Sequence, residues 1–441
     1  MKKLLLCLFL LSLMLPFLAN AGTVSSRYDV TFGGFVKYDL GWMSQNGNAD
    51  TPVAARSSSG AMAVLADEYS NTFQTAGETR LNFLVKGPGL WGAKTSAFIE
   101  GDFRGVATGN GYGGFELRHA FMTLKWSSAE LMIGQNWQQW GMPYYGAWIG
   151  CNDFRAFLRG WRMPQMAFRY FFTKELNAMI GITSATEWSG TGTFPYVRQF
   201  NDGYARSNWP GLMGEIAYWS DRAGKIGSNN LKFGLGAYFG KEKKVYDTAA
   251  GTAAALPATT AGGYQDDMIN AWIAAFRYSV PIIPEKQGNK AMALLLNGNF
   301  FIGQNIQGPG WMGLNQNVSQ GSYWGPNNEA SAPTMYGLFS QLSFWFTDKL
   351  SINGLYGYLK YNYSSWGRGA ANDAAAQARR DLPNMLQQYG VTLLWDANQA
   401  IRFGLGWSNL FTSYNGNGPA APYAGRSGSF DEYRLAVYYF F

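Results

Sequence analysis

The residues best suited to chemistry in this 441-residue chain are concentrated in residues 138–164. The segment carries seven aromatic side chains and four charged residues of interest, Arg155, Arg159, Arg162 and Asp153. An excess of arginine in a confined space favours anions, so the pattern indicates steering of anions and not bond cleavage. So many rings are rarely left in water, and we expect this segment to fold against an inner surface.

Catalytic and metal-binding chemistry has little support from the residue types. The only histidine is His119, which cannot build a multi-histidine metal site or activate a nucleophile without partners. We interpret His119 as a wall or interface residue. Cys151 is the only cysteine outside the first 21 residues, so we expect no disulfide and no covalent haem. The sequence therefore predicts no enzyme, no metal and no cofactor.

The N-terminus has the pattern of a removable secretory signal peptide. Lys2 and Lys3 precede an apolar run, and small residues before Gly22 fit a cleavage site. We expect residues 1–21 to be removed and residues 22–441 to form one domain. Loss of these two lysines lowers the formal charge of +7 by two, to +5. The chain contains no run of five or more basic residues, so its charge gives no indication of nucleic-acid binding.

Apolar and polar residues alternate in many segments of the remaining chain. Such period-two patterns predict β-strands with one lipid-facing and one wet face. Many aromatic residues (17%) and few charged ones (14%) suit such strands. Sixteen segments show the pattern, namely 29–42, 81–85, 93–103, 115–126, 130–137, 165–172, 175–183, 212–220, 230–239, 268–280, 290–303, 335–346, 350–363, 387–396, 399–410 and 429–441.

Short and long connections alternate between these segments. The short ones include 221–229 and two similar turns, 172–176 and 346–350, whereas the long ones include 43–78 and 240–267. Short turns on one side and long loops on the other are typical of outer-membrane barrels. The predicted fold is all-β, a sixteen-stranded antiparallel transmembrane β-barrel with short periplasmic turns and long extracellular loops. Its last strand is expected to pair with its first.

The alternation also predicts which charged side chains point into the lumen. Where apolar residues of a strand face lipid, the charged residues next to them should face the lumen. These are Arg80, Glu100, Asp102, Arg169, Arg277 and Arg402. Arg118 fits either face. A lumen with more basic than acidic groups favours anions, and the alternative is that these charges pair with acids across the wall and select little.

Two stretches of the chain resemble the trimeric Gram-negative general porins. The run from Leu117-Arg118-His119 through Ile133-Gly134-Gln135 is similar to the fourth and fifth strands of that family, with Gln135 where the family has arginine. Residues 138–164 form the third long loop, between strands five and six. In that family this loop folds inward and forms the constriction. The resemblance, which extends to the DcaP-like porins, implies that residues 138–164 form the constriction. We expect Arg155, Arg159, Arg162 and Asp153 to build it, facing Arg80, Arg118 and Arg169 or nearby acids.

The resemblance implies an outer-membrane homotrimer for passive diffusion of small hydrophilic solutes. The basic excess predicted for the lumen adds a mild anion preference. Its implied partners are outer-membrane lipid, lipopolysaccharide and the barrel-assembly machinery, which reads the aromatic end at Tyr439 and Phe441. The alternative is a non-conducting barrel that serves as a structural sheath for a partner protein such as a cytochrome.

Deletion of Phe441 is expected to lower the amount of folded protein in the membrane, because the residue would serve assembly. Molecules that do fold should keep their single-channel conductance. Quantitative blotting of the outer-membrane fraction and single-channel recording measure the two quantities. An unchanged amount of folded protein would contradict the assembly role.

Overall fold

A computed structural model describes residues 28–45, 54, 69–105, 113–150, 154, 157, 162–183, 209–247, 252–253, 264–305, 323–324, 330–363, 382–415 and 426–441. The predicted signal peptide and parts of the long connections lie outside these residues. So do Asp153, Arg155 and Arg159 of the predicted constriction.

Sixteen antiparallel strands form one closed sheet, which confirms the predicted fold class. Each strand pairs with the next along the chain. The strands are β1 (Asp29–Met43), β2 in two parts (Asn71–Thr75 and Arg80–Lys86), β3 (Lys94–Gly105), β4 (Gly114–Lys125), β5 (Ala129–Trp137), β6 (Arg162–Phe171), β7 (Leu176–Thr183), β8 (Gly211–Ile226), β9 (Asn229–Asp247), β10 (Tyr264–Ile283), β11 (Leu294–Gln304), β12 (Thr334–Trp345), β13 (Leu350–Asn362), β14 (Pro383–Asp396), β15 (Ile401–Tyr414) and β16 (Ser427–Phe440). Thr252–Ala253 extends the sheet beside β9, and Tyr323–Trp324 and Ala330–Ser331 form a separate ribbon.

The barrel closes where β16 pairs with β1, and we call these two the seam strands. Their register runs from Phe35 opposite Phe440 to Met43 opposite Glu432. Beyond it, Gly34 and Phe441 exchange two backbone hydrogen bonds of 3.2 Å each. A sheet edge in lipid would leave unsatisfied N–H and C=O groups at several kcal/mol each, and closure removes that edge. The predicted pairing of the last and first segments is confirmed.

Side chains alternate between the two faces of the wall as the period-two pattern predicts. On β1, Val36 is exposed and Lys37 beside it is buried; on β16, Leu435 is exposed and Arg434 is buried. The outward face is thus apolar, as a lipid-facing surface must be, and the inward face is polar. Within the described residues no helix is long and apolar enough to cross a membrane.

The two turns with similar sequences adopt the same hydrogen bonding. In each, a threonine hydroxyl, of Thr173 or of Thr347, accepts two backbone hydrogen bonds. The donors are the N–H group of the first residue of the next strand and that of the residue before it. Such local bonds from a short polar side chain favour a tight turn. The turns therefore join β6 to β7 and β12 to β13 by one shared device.

The connection predicted at 221–229 is mostly strand, and that prediction is wrong. Strand β8 continues to Ile226 and β9 begins at Asn229. The register shifts between Asn230 and Leu231, and this irregularity interrupts the alternation on which the prediction relied. Gly227 turns the chain with a φ of 59°, a conformation that favours glycine.

Three of the long connections named above are shorter than predicted, and in one of them, 138–164, the last three residues already belong to β6 (Arg162–Phe171). Strands β9 and β10 pair through Asp247 and Tyr264, inside the connection predicted at 240–267. Asn71–Thr75 pairs with β1 inside the connection predicted at 43–78. These strand ends carry mainly polar side chains, so backbone pairing extends them without an apolar face that the sequence pattern would reveal.

Candidate functional site

The connection from β5 to β6, residues 138–161, is called the lumen loop here, and the structure describes residues 138–150, 154 and 157 of it. These residues contact inward-facing side chains and backbone of the wall. Trp140, Ile149 and Phe157 of the loop are at most 3% exposed. Burial of such large apolar side chains against the wall stabilises the docked loop by about 1.5–3 kcal/mol each.

Glycines in the wall make room for these side chains. The Phe157 ring lies directly against Gly357 of β13. A Cβ atom on Gly236 of β9 would lie 2.8 Å from the Trp140 ring, closer than real Cβ contacts come. Each of these wall positions needs glycine because a docked ring occupies the space of a side chain. The wall is therefore shaped to the loop.

Neutral amide side chains of the wall bind the loop backbone. Asn297 of β11 accepts a hydrogen bond from the Tyr145 N–H at 3.3 Å and donates one to the Tyr145 carbonyl. Gln341 of β12 accepts from the Ala147 N–H at 2.9 Å. Gln388 of β14 accepts a third backbone N–H of the loop at 3.1 Å. These bonds satisfy backbone groups that would otherwise be buried without partners.

Two arginines share the buried carboxylate of Glu215 on β8. Arg277 of β10 donates from Nε and Nη2 to its two oxygens, each at 2.6 Å. Arg169 of β6 reaches only Oε1, at 3.3 Å. Both guanidinium groups also donate to the Gln139 carbonyl of the loop. Two cations on one carboxylate leave this group, which we call the Glu215 cluster, with a positive charge.

A cavity of about 460 Å³ lies beside the Glu215 cluster, at the short-turn end of the lumen. Its cations are Lys125, Arg169, Lys232 and Arg277, its acid is Glu130, and its rings include Tyr144 and Trp219. Arg277 lies 4.2 Å and Lys232 5.4 Å from the Tyr144 ring centroid. Burial raises the pKa of the Tyr144 phenol above its ordinary value, so the group stays neutral at physiological pH. The cavity thus combines cations with aromatic surface.

A second cluster, on β3, β4 and β6 together with Arg80 of β2, is balanced in charge. Arg118 donates from Nε to Glu100 at 2.9 Å and also pairs with Asp102, while Arg80 lies 3.7 Å from Glu100. The cluster consists of Arg80, Arg118 and Arg162 with Glu100, Asp102 and Glu116. Three arginines and three acids leave it formally neutral.

A β-bulge decides the orientation of Arg118. His119 lies opposite Glu100 and Leu117 opposite Gly101, so Arg118 is an extra residue on its strand. Arg118 and His119 are both buried as a result. The alternation could not assign a face to Arg118 because the bulge interrupts the alternation at that residue.

His119 is part of the wall. Its ring packs near Phe98, Phe121 and Trp137, at centroid distances of 6.0–6.4 Å. Its Nε2 lies 3.8 Å from Glu100. Across the described ranges no group of three or more His, Cys, Asp or Glu residues is arranged to hold a metal ion.

A third cluster lies at the seam, and no sequence pattern predicted that its residues meet. It pairs Lys37, Arg104 and Arg434 with Asp39, Glu78 and Glu432, and is again balanced in charge. Lys37 could have been found, because its neighbours on β1 face outward. Glu78 was hidden, because it lies in the connection predicted at 43–78 and comes to the wall through the break between the two parts of β2.

Arg402 lies apart from the three clusters. It pairs with Asp396 at 2.5 Å beside the turn from β14 to β15, and its side chain is 37% exposed. Arg162, Arg80, Arg118, Glu100 and Asp102 come together in the second cluster, and Arg169 and Arg277 in the Glu215 cluster.

Solved outer-membrane proteins share this architecture. The outer-membrane channel DcaP of Acinetobacter baumannii superposes with a TM-score of 0.63 and 14% identity, over 94% of this chain and 97% of that one. The anion-selective porin from Comamonas acidovorans gives a TM-score of 0.51 and 12% identity, over 94% and 100%. The chain has the porin fold. No protein-family model and no curated protein sequence matches it, so the porin fold is recognised from structure.

Gly357→Leu is expected to displace Phe157, because a side chain at this position would occupy the space of the ring. Gly354→Leu on the same strand is the matched control, since a Cβ atom there meets open space. Cys151 lies in the loop sequence, so its rate of alkylation by a maleimide reports loop docking. We expect the rate to rise several-fold in Gly357→Leu alone, and equal rates in the two variants would contradict this docking.

Proposed function

We propose that this protein is an outer-membrane channel for passive diffusion of small hydrophilic solutes, with a mild preference for anions. The observation that carries the proposal is the Glu215 cluster beside a cavity in the lumen, where cations outnumber the carboxylate. The similarity in fold of this chain to the DcaP channel and to the Comamonas anion-selective porin supports a channel of this kind.

The lumen loop is proposed to narrow the pathway. Its described part packs on inward-facing residues of the wall, so it takes up cross-section that a solute would otherwise use. Arg162 stands at its end in the second cluster. We propose Arg155, Arg159 and Asp153 as further groups of the same constriction, as the resemblance to porins implies.

The charge distribution supports a mild preference and not a strong one. Two of the three clusters contain equal numbers of arginine or lysine and acid, so they neutralise themselves. At the cavity Lys125 pairs with Glu130 at 3.8 Å, so the excess lies in Arg169, Lys232 and Arg277 against Glu215. Arg277 holds Glu215 with two hydrogen bonds, which leaves Arg169 the weaker partner. A passing carboxylate or phosphate can therefore replace Glu215 at Arg169 while Glu215 stays paired.

We further propose that the protein assembles as a homotrimer in the outer membrane. The resemblance of the chain to the trimeric general porins supports this assembly. Light scattering of the detergent-solubilised protein should give the mass of three chains, and the mass of one chain would contradict this assembly.

Arg169→Gln is expected to reduce the anion preference by roughly twofold, because it removes one partly screened charge from the cavity. Glu215 keeps its two bonds to Arg277, so the variant should fold. The measurement is the reversal potential in planar bilayers under a KCl gradient. Arg222→Gln is the matched control, since Arg222 is 81% exposed and pairs with Glu175 away from the cavity.

Cation preference in the parent protein would contradict the anion proposal, and absence of conductance would contradict the channel itself. The sheath alternative predicts no current together with a tightly co-purifying partner. An equal change in Arg169→Gln and Arg222→Gln would locate the preference outside the Glu215 cluster.

A further inference from the structure

One carbonyl of the lumen loop is held by both seam strands. The Ile149 carbonyl accepts a hydrogen bond from Lys37 Nζ of β1 at 2.5 Å. It also accepts one from the Tyr438 hydroxyl of β16 at 3.3 Å. The Ile149 side chain lies over Gly404 and Gly406 of β15. A single loop residue thus contacts three neighbouring strands at the place where the barrel closes.

We propose that Ile149 is a latch that docks only on a closed seam, and that Lys37 is the residue that positions it. Loop docking and barrel closure would then stabilise each other. The inference concerns the coupling of the loop to the seam, and its electrical consequence rests on the proposed channel function.

The register of the seam creates the site. Lys37 and Tyr438 lie directly opposite each other in the β1–β16 ladder, although about 400 positions separate them in the chain. The Lys37 ammonium is 5.2 Å from the Tyr438 ring centroid. A slip of one residue would turn one of the two side chains to the lipid face, and an open seam would separate them. Only the closed barrel in this register presents both donors to one oxygen.

The Lys37 ammonium is fully committed to this place. It donates hydrogen bonds to Glu78 at 2.6 Å and to the Ile149 carbonyl at 2.5 Å, and it forms an ion pair with Asp39 at 3.0 Å. The side chain is 1% exposed. Two acids hold the cation, and the cation in turn holds the loop. Loss of the contact therefore releases Ile149 while leaving most of the wall unchanged.

Coupling of this kind acts in both directions. A group that binds only the closed state stabilises that state, whether it is a separate ligand or a segment of the same chain. Ile149 of the lumen loop acts on the seam as such a ligand. When Ile149 is released, the loop no longer has one fixed position in the lumen, and the current through the channel should fluctuate.

Disulfide trapping measures the docking of Ile149 on the wall. A Cβ atom on Gly404 would lie 3.6 Å from the Cβ of Ile149, within the range of about 3.5–4.5 Å that disulfides require. The test protein carries Ile149→Cys and Gly404→Cys, with Cys7 and Cys151 replaced by serine. The rate of disulfide formation in the folded protein is followed as the loss of thiols that a polyethylene-glycol maleimide can label.

Three seam or wall variants are compared in this background. Lys37→Met is combined with Glu78→Gln, so that one charge of each sign is removed and Asp39 keeps its ion pair with Arg434 at 3.9 Å. Tyr438→Phe keeps every charge. Tyr278→Phe is the control, since its hydroxyl bonds Ser340 of the wall at 3.1 Å and not the loop.

We expect trapping to slow about tenfold in Lys37→Met/Glu78→Gln and about threefold in Tyr438→Phe, the effects of one lost charge-assisted and one lost neutral hydrogen bond. The control should match the parent. Equal rates in all four proteins would overturn the latch. Slowing in Tyr278→Phe as large as in Tyr438→Phe would also overturn it, because the effect would then be general loosening of the wall.

Single-channel recording supplies the second readout. Lys37→Met/Glu78→Gln should give a noisier current, oxidation of the introduced cysteine pair should quieten it, and a reducing agent should restore the noise. Current noise that stays the same after oxidation and after reduction of the cysteine pair would overturn the positioning role of Lys37. Trapping needs no current, so a barrel that traps normally but does not conduct would contradict the proposed channel function and leave the latch intact.

Discussion

The backbone ladder between β1 and β16 is the contact on which the rest of the molecule depends. In lipid an open sheet edge would carry a row of unsatisfied N–H and C=O groups, so the wall is stable only when it is closed. Closure joins Phe35 to Phe440 and carries the register through to Met43 and Glu432. Every inward-facing residue owes its neighbours to that register, since a shift of one position would exchange the two faces.

The lumen is organised as an interior with its own packing rules. Wall glycines accept loop rings, and neutral amides of Asn297, Gln341 and Gln388 satisfy the loop backbone. Charged groups stand in clusters where each cation has an acid, which reduces the large cost of burying a charge away from bulk water. The Glu215 cluster departs from this balance, and it lines the cavity.

Loop and wall depend on each other through the seam. Ile149 of the lumen loop contacts β15, β16 and β1, whereas the loop begins at the end of β5. The loop therefore links distant parts of the barrel circumference. The loop lies between two parts of the wall, so its position is defined only when the wall is closed. The geometry of the proposed pathway past the loop therefore depends on the closed seam.

Period-two alternation is a local property, and it was enough to predict the sixteen strands, their closure and the inward faces of Arg169, Arg277, Glu100 and Asp102. It failed where backbone pairing interrupts the period, at the bulge of Arg118 and at the shift beside Asn230. Which charges meet depends on strand pairing between residues far apart in the chain. The sharing of Glu215 by Arg169 and Arg277, and the meeting of Lys37 with Tyr438, exist only in the folded barrel, because register and not sequence distance brings those side chains together.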